Sequence, residues 1–127
     1  MDNRDTILEP KVILDVLFEE GMLFLVIHNI SGFPAHDVRI RFSDQLIGVN
    51  GRVNVSELNI FQNLRFLAPG KPIKVFLDST SSFFRQSKVR TFEVRLDWAN
   101  EEGHRFFGRA VHDLSIYEDL GYINLRN

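Results

Sequence analysis

The sequence predicts an all-β protein in which two antiparallel sheets, about seven strands together, pack face to face. Three observations carry this. Apolar residues recur with a period of two: Val38, Ile40 and Phe42 alternate with Arg39, Arg41 and Ser43, and Phe92, Val94, Leu96 and Trp98 alternate with Glu93, Arg95 and Asp97. A half-buried strand has this pattern because successive side chains point to opposite faces. Turn signals built on Gly and Pro separate the apolar runs at short intervals. We find no long stretch with the 3.6-residue period of an amphipathic helix.

The first two strands are expected at 11–19 (KVILDVLFE) and 22–30 (MLFLVIHNI), divided by a turn at Glu20-Gly21. Both are almost continuously apolar, as expected where both faces are covered or an edge is protected. Ser31-Gly32-Phe33-Pro34 leads to a third strand at 37–43, and a fourth, with a break, is expected at 57–67. Ala68-Pro69-Gly70-Lys71 suits a type II turn, because Pro69 presets φ and Gly70 takes a positive φ without steric cost. Pro72 lacks the N–H that a central ladder needs, so the fifth strand, 72–78, starts there or runs along an edge. Its Ile73, Val75 and Leu77 share one face. Ser79–Gln86 reads as a short helical turn. Strands at 89–98 and 104–114 flank a polar hairpin loop at Ala99–Gly103. The closing stretch, YEDLGYINLRN, reads as a short strand or a loose tail.

Seven strands at this spacing predict an immunoglobulin-like topology, without the cysteine–tryptophan–cysteine core of antibody domains. No repeat, low-complexity tract or linker divides the chain. It is expected to be one domain over 1–127 with its core at about 10–115. A chain of 127 residues buries roughly two thirds of its unfolded surface, enough for an independent core.

Composition excludes several function classes. With 15 Lys and Arg against 17 Asp and Glu, the net charge of −2 offers no general basic surface for phosphates, and no nucleic-acid partner is expected. The absence of cysteine excludes disulfides, thiolate nucleophiles and cysteine-ligated zinc. No run approaches the roughly 20 apolar residues of a membrane span, and with no apolar h-region at the start no signal peptide is expected. The segment is expected to be soluble as it stands, with no membrane insertion of its own. An excised domain of a longer anchored protein fits the same observations. Twelve of the aromatics are Phe, with one Trp and two Tyr, which favours core filling over stacking on sugars or bases.

Asn29, Gly32, Pro34-Ala35 and Asp37-Val38 in HNISGFPAHDVRIRF, followed by LAPGKPIKVFLD, resemble a bacterial and archaeal family of immunoglobulin-like sandwiches of the CARDB kind. The resemblance covers about residues 10–115. It implies an accessory or interaction domain, often tethered to a membrane segment in a larger protein, and it transfers no catalytic residue. The Phe and Pro of SGFPAH depart from the plain loop usual at that turn.

Candidate chemistry is sparse. His104 and His112 share a strand and a parity but are eight residues apart, about 27 Å, too far to share a metal. His28 and His36 flank one turn with no spaced carboxylate, and no metal or cofactor is expected. HDLS at 112–115 holds a His, an Asp and a Ser, yet neighbours on a strand diverge, so no relay forms. There is neither a G-x-S-x-G elbow nor a phosphate loop. The sequons at Asn29 and Asn54 matter only in a glycosylating compartment. His112 shares its parity with Ala110 and Leu114 and is expected to face inward as a satisfied core histidine.

Two surfaces remain as candidates for a protein partner. One is an arginine-rich sheet face with Arg39, Arg41, Arg95, Arg105 and Arg109 interleaved with Glu93 and Asp97; the bland reading is a solvated face with cross-strand ion pairs. The other is Phe83-Phe84, where one ring could serve as an exposed anchor, against a helical turn that buries both. Open sheet edges also leave room for a homodimer or an added partner strand. The function expected is that of a non-catalytic accessory or protein-interaction domain. The alternative is a small-ligand or carbohydrate-binding module, and an enzyme ranks last.

Overall fold

A two-residue turn at Glu20-Gly21, both at positive φ (51° and 78°), folds the first apolar run back on the second. Such primed turns match the twist of the strands they join. In the computed structural model, which describes residues 7–126, they connect β1 (Val12–Glu19) to β2 (Met22–Asn29). There follow β3 (Ala35–Phe42), a small ladder of β4 (Ile47–Gly48) with β5 (Val53–Asn54), α1 (Asn59–Gln62), β6 (Leu64–Leu67) and β7 (Pro72–Ser79). Then come α2 (Thr80–Gln86), β8 (Thr91–Ala99), β9 (Arg105–Asp113) and α3 (Ser115–Arg126).

Two open antiparallel sheets result, in the orders β1-β2-β7 and β6-β3-β8-β9. The all-β sandwich expected from the sequence is therefore present. Its core lies between the sheets. Leu14, Leu23, Leu25, Ile27 and Leu77 from the first meet Val38, Ile40, Phe92, Val94, Leu96 and Trp98 from the second, all buried. Gly70 takes φ +70° and Lys71 N–H donates to Ala68 O at 3.1 Å, as the proposed turn requires. Pro72 opens β7, an edge strand.

Asn29 ties the sheets together at one end. Its buried Nδ2 donates to Phe33 O (2.8 Å) and Leu67 O (3.1 Å), and its Oδ1 accepts from the N–H and hydroxyl of Ser31. Asn100 does similar work at the β8–β9 loop, donating to Leu8 O and accepting from the N–H groups of Glu102 and His104. Trp98 fills the core opposite Gly108, where a Cβ would lie 3.2 Å from its ring.

Three expectations are corrected. The run 57–67 is not one broken strand. A 3-10 turn (Val55–Glu57) and α1 precede the four-residue β6, and α1 turns Phe61 fully into the core against Phe42, 5.0 Å between centroids. The closing stretch is neither strand nor loose tail but α3, anchored where Tyr117 stacks on Phe18 at 6.2 Å and its hydroxyl donates to Val16 O; Asn127 lies outside the described residues. Residues 47–54, not expected to pair, form the small ladder. Its turn places Val49, Asn50 and Gly51 consecutively at positive φ. A β-branched residue there is strained, and two contacts hold it: Val49 N–H on Leu77 O at 2.9 Å, and Asn50 Oδ1 accepting from Ser82 Oγ at 2.8 Å. The short helical turn expected at Ser79–Gln86 is present as α2, with Ser79 Oγ accepting from Ser82 N–H as its cap.

Candidate functional site

The ladders of β3, β8 and β9 bring the predicted arginines onto one surface. Arg39 lies opposite Asp97, Arg41 opposite Arg95, Arg95 opposite Arg109, and Arg105 opposite Ala99. Their sequence neighbours Val38, Ile40, Val94 and Leu96 are buried, so strand alternation turns the arginines outward. A row of Arg41, Arg95 and Arg109 would repel itself if left alone. Glu93 prevents this: its Oε1 accepts from Arg95 Nε at 3.0 Å and its Oε2 accepts from Arg109 Nε. The hydrogen bond from Arg95, then that from Arg109, holds the Glu93 carboxyl below its ordinary range. Asp97 accepts from Arg105, whose Nη2 also donates to Asp37 O at 3.2 Å. Exposed pairs of this kind contribute little stability; what they do is fix three of the five guanidinium groups in place. Among the described residues no carboxylate pairs with Arg39 or Arg41.

Apolar groups flank this surface on both sides. On β6, Phe66 is 54% exposed and packs edge-on against His36, with centroids 5.4 Å apart. On β9, Phe107 and Val111 are 78% and 56% exposed. The parity of RFFGRAV carries the signal for this last pair. Phe106, Gly108 and Ala110 take the inner positions, leaving Phe107 and Val111 outside. Beyond the end of β3 lies a cleft of about 380 Å³, lined by Arg41, Ser43, Asp44, Gln45, Glu57 and Gln62 among others.

The second predicted surface is not a surface. Phe83 is completely buried, and Phe84 is half-buried edge-on to it at 5.4 Å. The Arg90 guanidinium covers the Phe84 ring at 4.7 Å and is itself held by Ser87 O and Glu118. Neighbouring side chains on a helix diverge by only about 100°, so a short helix can pack both rings where an extended loop could not.

His112 faces inward, as its parity required: Nε2 lies 2.8 Å from Leu14 O, where it acts as donor, and the ring packs on Phe92 at 5.4 Å. Asp113 points elsewhere and accepts from the N–H and hydroxyl of Ser115, which lower its pKa, the hydroxyl bond contributing most. His112 and Asp113 diverge and form no relay. His28 and His36 lie on the outer faces of opposite sheets, opposite Pro72 and Phe66 respectively. No three potential metal ligands gather among the described residues. Asn29, the first sequon asparagine, is buried with both amide hydrogens engaged and is out of reach of a glycan in the folded chain.

Residues 2–118 match a family described as a domain of unknown function, DUF8453. No curated protein and no solved structure matches the chain.

Proposed function

The chain belongs to the DUF8453 family, and we propose for it a non-catalytic role as a protein-interaction domain that meets an acidic partner surface through Arg39 and Arg41. One observation carries this: the two arginines without an ion-pair partner among the described residues share a rigid sheet face with three arginines that have one. Arginine combines a planar multi-donor head with weak hydration, which suits interface recognition, and exposed aromatics such as Phe66 supply desolvated contact beside it. The non-catalytic part draws support from the divergence of His112 and Asp113 and from their structural hydrogen bonds. We read the fold as immunoglobulin-like on the strand orders β1-β2-β7 and β6-β3-β8-β9. Kinship with CARDB-like modules is proposed on the turn residues Asn29, Gly32, Pro34 and Gly70.

The test is affinity capture with the whole chain as bait, followed by calorimetric titration of the purified captured protein. Wild type is compared with Arg39→Glu/Arg41→Glu and with Lys74→Glu, a charge reversal on the opposite sheet, after all show the same circular dichroism. Saturable binding weakened about tenfold or more, ~1.4 kcal/mol per decade, by the arginine variant alone is expected. Binding that survives Arg39→Glu/Arg41→Glu, or no saturable partner, would overturn the proposal.

A further inference from the structure

Four strands form the margins of the two open sheets, and three of them are partly occupied, interrupted or short. Two outward carbonyls of β1 and one just before it are occupied: His112 Nε2 donates to Leu14 O (2.8 Å), Tyr117 Oη to Val16 O (3.3 Å) and Trp98 Nε1 to Pro10 O (2.8 Å). Val16 N–H is taken by Asp15 Oδ1. β7 opens with a proline that has no N–H, and Leu77 O already accepts from Val49 N–H. β6 is four residues long.

β9 is different. Asn100 N–H donates to His104 O and Leu114 N–H to Arg90 O, so the even-numbered residues of β9 face β8. Antiparallel ladders alternate, so the odd-numbered residues direct their N–H and C=O groups away from the sheet. Among the described residues no hydrogen bond reaches the main chain of Phe107, Arg109 or Val111 from that side. Phe107 and Val111 are also the most exposed large apolar side chains among the described residues, at 78% and 56%. An exposed edge of nine residues is a template for another strand.

We propose that the occupant is a second copy of this chain, paired antiparallel through β9 about a two-fold axis at Arg109. A strand that pairs with itself must be complementary to its own reverse. The outward residues of β9 read Arg105, Phe107, Arg109, Val111, Asp113. With the axis at Arg109, the midpoint of the strand, Phe107 lies opposite Val111 of the second copy and Arg105 lies opposite its Asp113. Apolar meets apolar and cation meets anion, and all nine residues pair. An axis at Phe107 would set Arg105 against Arg109, and an axis at Val111 would carry Phe107 past the strand to Ser115. At the centre the two Arg109 side chains are each drawn back to their own Glu93, which relieves their repulsion. On the inner side Gly108 would face Ala110, so the pairs next to the axis are small, and Phe106 would face His112 farther out. The product is one sheet of eight strands. This goes beyond the arginine surface and stands whether or not Arg39 and Arg41 have a partner.

The experiment uses the full chain. Sedimentation equilibrium across a concentration series should show a doubling of mass. Val111→Pro deletes one outward N–H without touching the β8 ladder, and should return the monomer with unchanged circular dichroism. Because the chain has no cysteine, single cysteines then read the register. Hydrogen-bonded antiparallel partners lie about 5.5 Å apart at Cα, within disulfide reach. Arg109→Cys should cross-link to a covalent dimer under mild oxidation, and Val111→Cys should not. A monomer at every concentration, a dimer that persists in Val111→Pro, or cross-linking at Val111→Cys and not at Arg109→Cys would each overturn the proposal.

Discussion

β1 and β9 lie at the same side of the sandwich, one in each sheet, and the molecule treats them in opposite ways. Leu14 O and Val16 O of β1, and Pro10 O just before it, have side-chain donors, and those donors come from β9, α3 and β8. Among the described residues the outward groups of Phe107, Arg109 and Val111 have none, and Phe107 and Val111 are the least covered large apolar groups. Both are eight or nine residues long, so length does not explain the difference. Parity does: inward side chains such as His112 of β9 reach across to β1, while among the described residues no hydrogen bond reaches the outer edge of β9. A sandwich can therefore close one margin with the residues that fill its core and leave the neighbouring margin as an addressable one.

The contrast can be broken from the sealed side first. Trp98→Ala removes both a core ring and the donor to Pro10 O, and should destabilise the fold by about 3–5 kcal/mol, read from urea unfolding. His112→Leu keeps the packing on Phe92 but strands the carbonyl of Leu14. A loss of about 1–3 kcal/mol is expected, together with faster amide exchange along β1; exchange unchanged from wild type would show that the seal is not what protects this edge. Tyr117→Phe deletes only a hydroxyl and should cost about 1 kcal/mol. Burial, then the charge of Asp15, raises the pKa of Tyr117 above 10.0. Its contribution is thus complete below about pH 10.0 and is lost as pH rises through the raised value. The stability gap between wild type and Tyr117→Phe should close in that alkaline range, and a gap independent of pH would refute the assignment. The smallest effect belongs to the open side. Phe107→Ser should leave monomer stability within about 0.5 kcal/mol of wild type while abolishing self-association, seen as constant mass across a dilution series.

Much of this was legible in the sequence because strand alternation and turn chemistry are local. The period-two runs place β3, β7, β8 and β9 and the outward direction of their arginines, and Ala68-Pro69-Gly70 marks its turn from φ preferences alone. Other features depend on what lies opposite. SELNIFQNLRFL reads locally as strand-forming, but the core takes Phe61 whole, and a single helical turn at Asn59–Gln62 delivers it before β6 begins. α3 carries a glycine at position 121 and a weakly apolar face, so its propensity is slight. It forms where Tyr117 meets Phe18 and Glu118 meets Arg90, contacts no local window contains. Val49 at φ +54° is invisible beforehand for the same reason: its strain is tolerated only because β7 and α2 hold the turn. The arginine face was readable as a surface but not as a set of pairs, since which acid serves which guanidinium follows from register.

The donors that close β1 stand 88, 98 and 101 positions after the carbonyls they cover. On the ribosome, the β1–β2 hairpin therefore waits, one flank bare, until β8, β9 and the start of α3 have been made. Local contacts can form it at once, but its protection is the most distant event in the fold. A chain halted within β8 would carry a well-made hairpin with an adhesive flank, and would be a target for chaperones or for its own kind. The completed chain exchanges that early, indiscriminate flank for a late and selective one at β9, which exists only after translation has passed it.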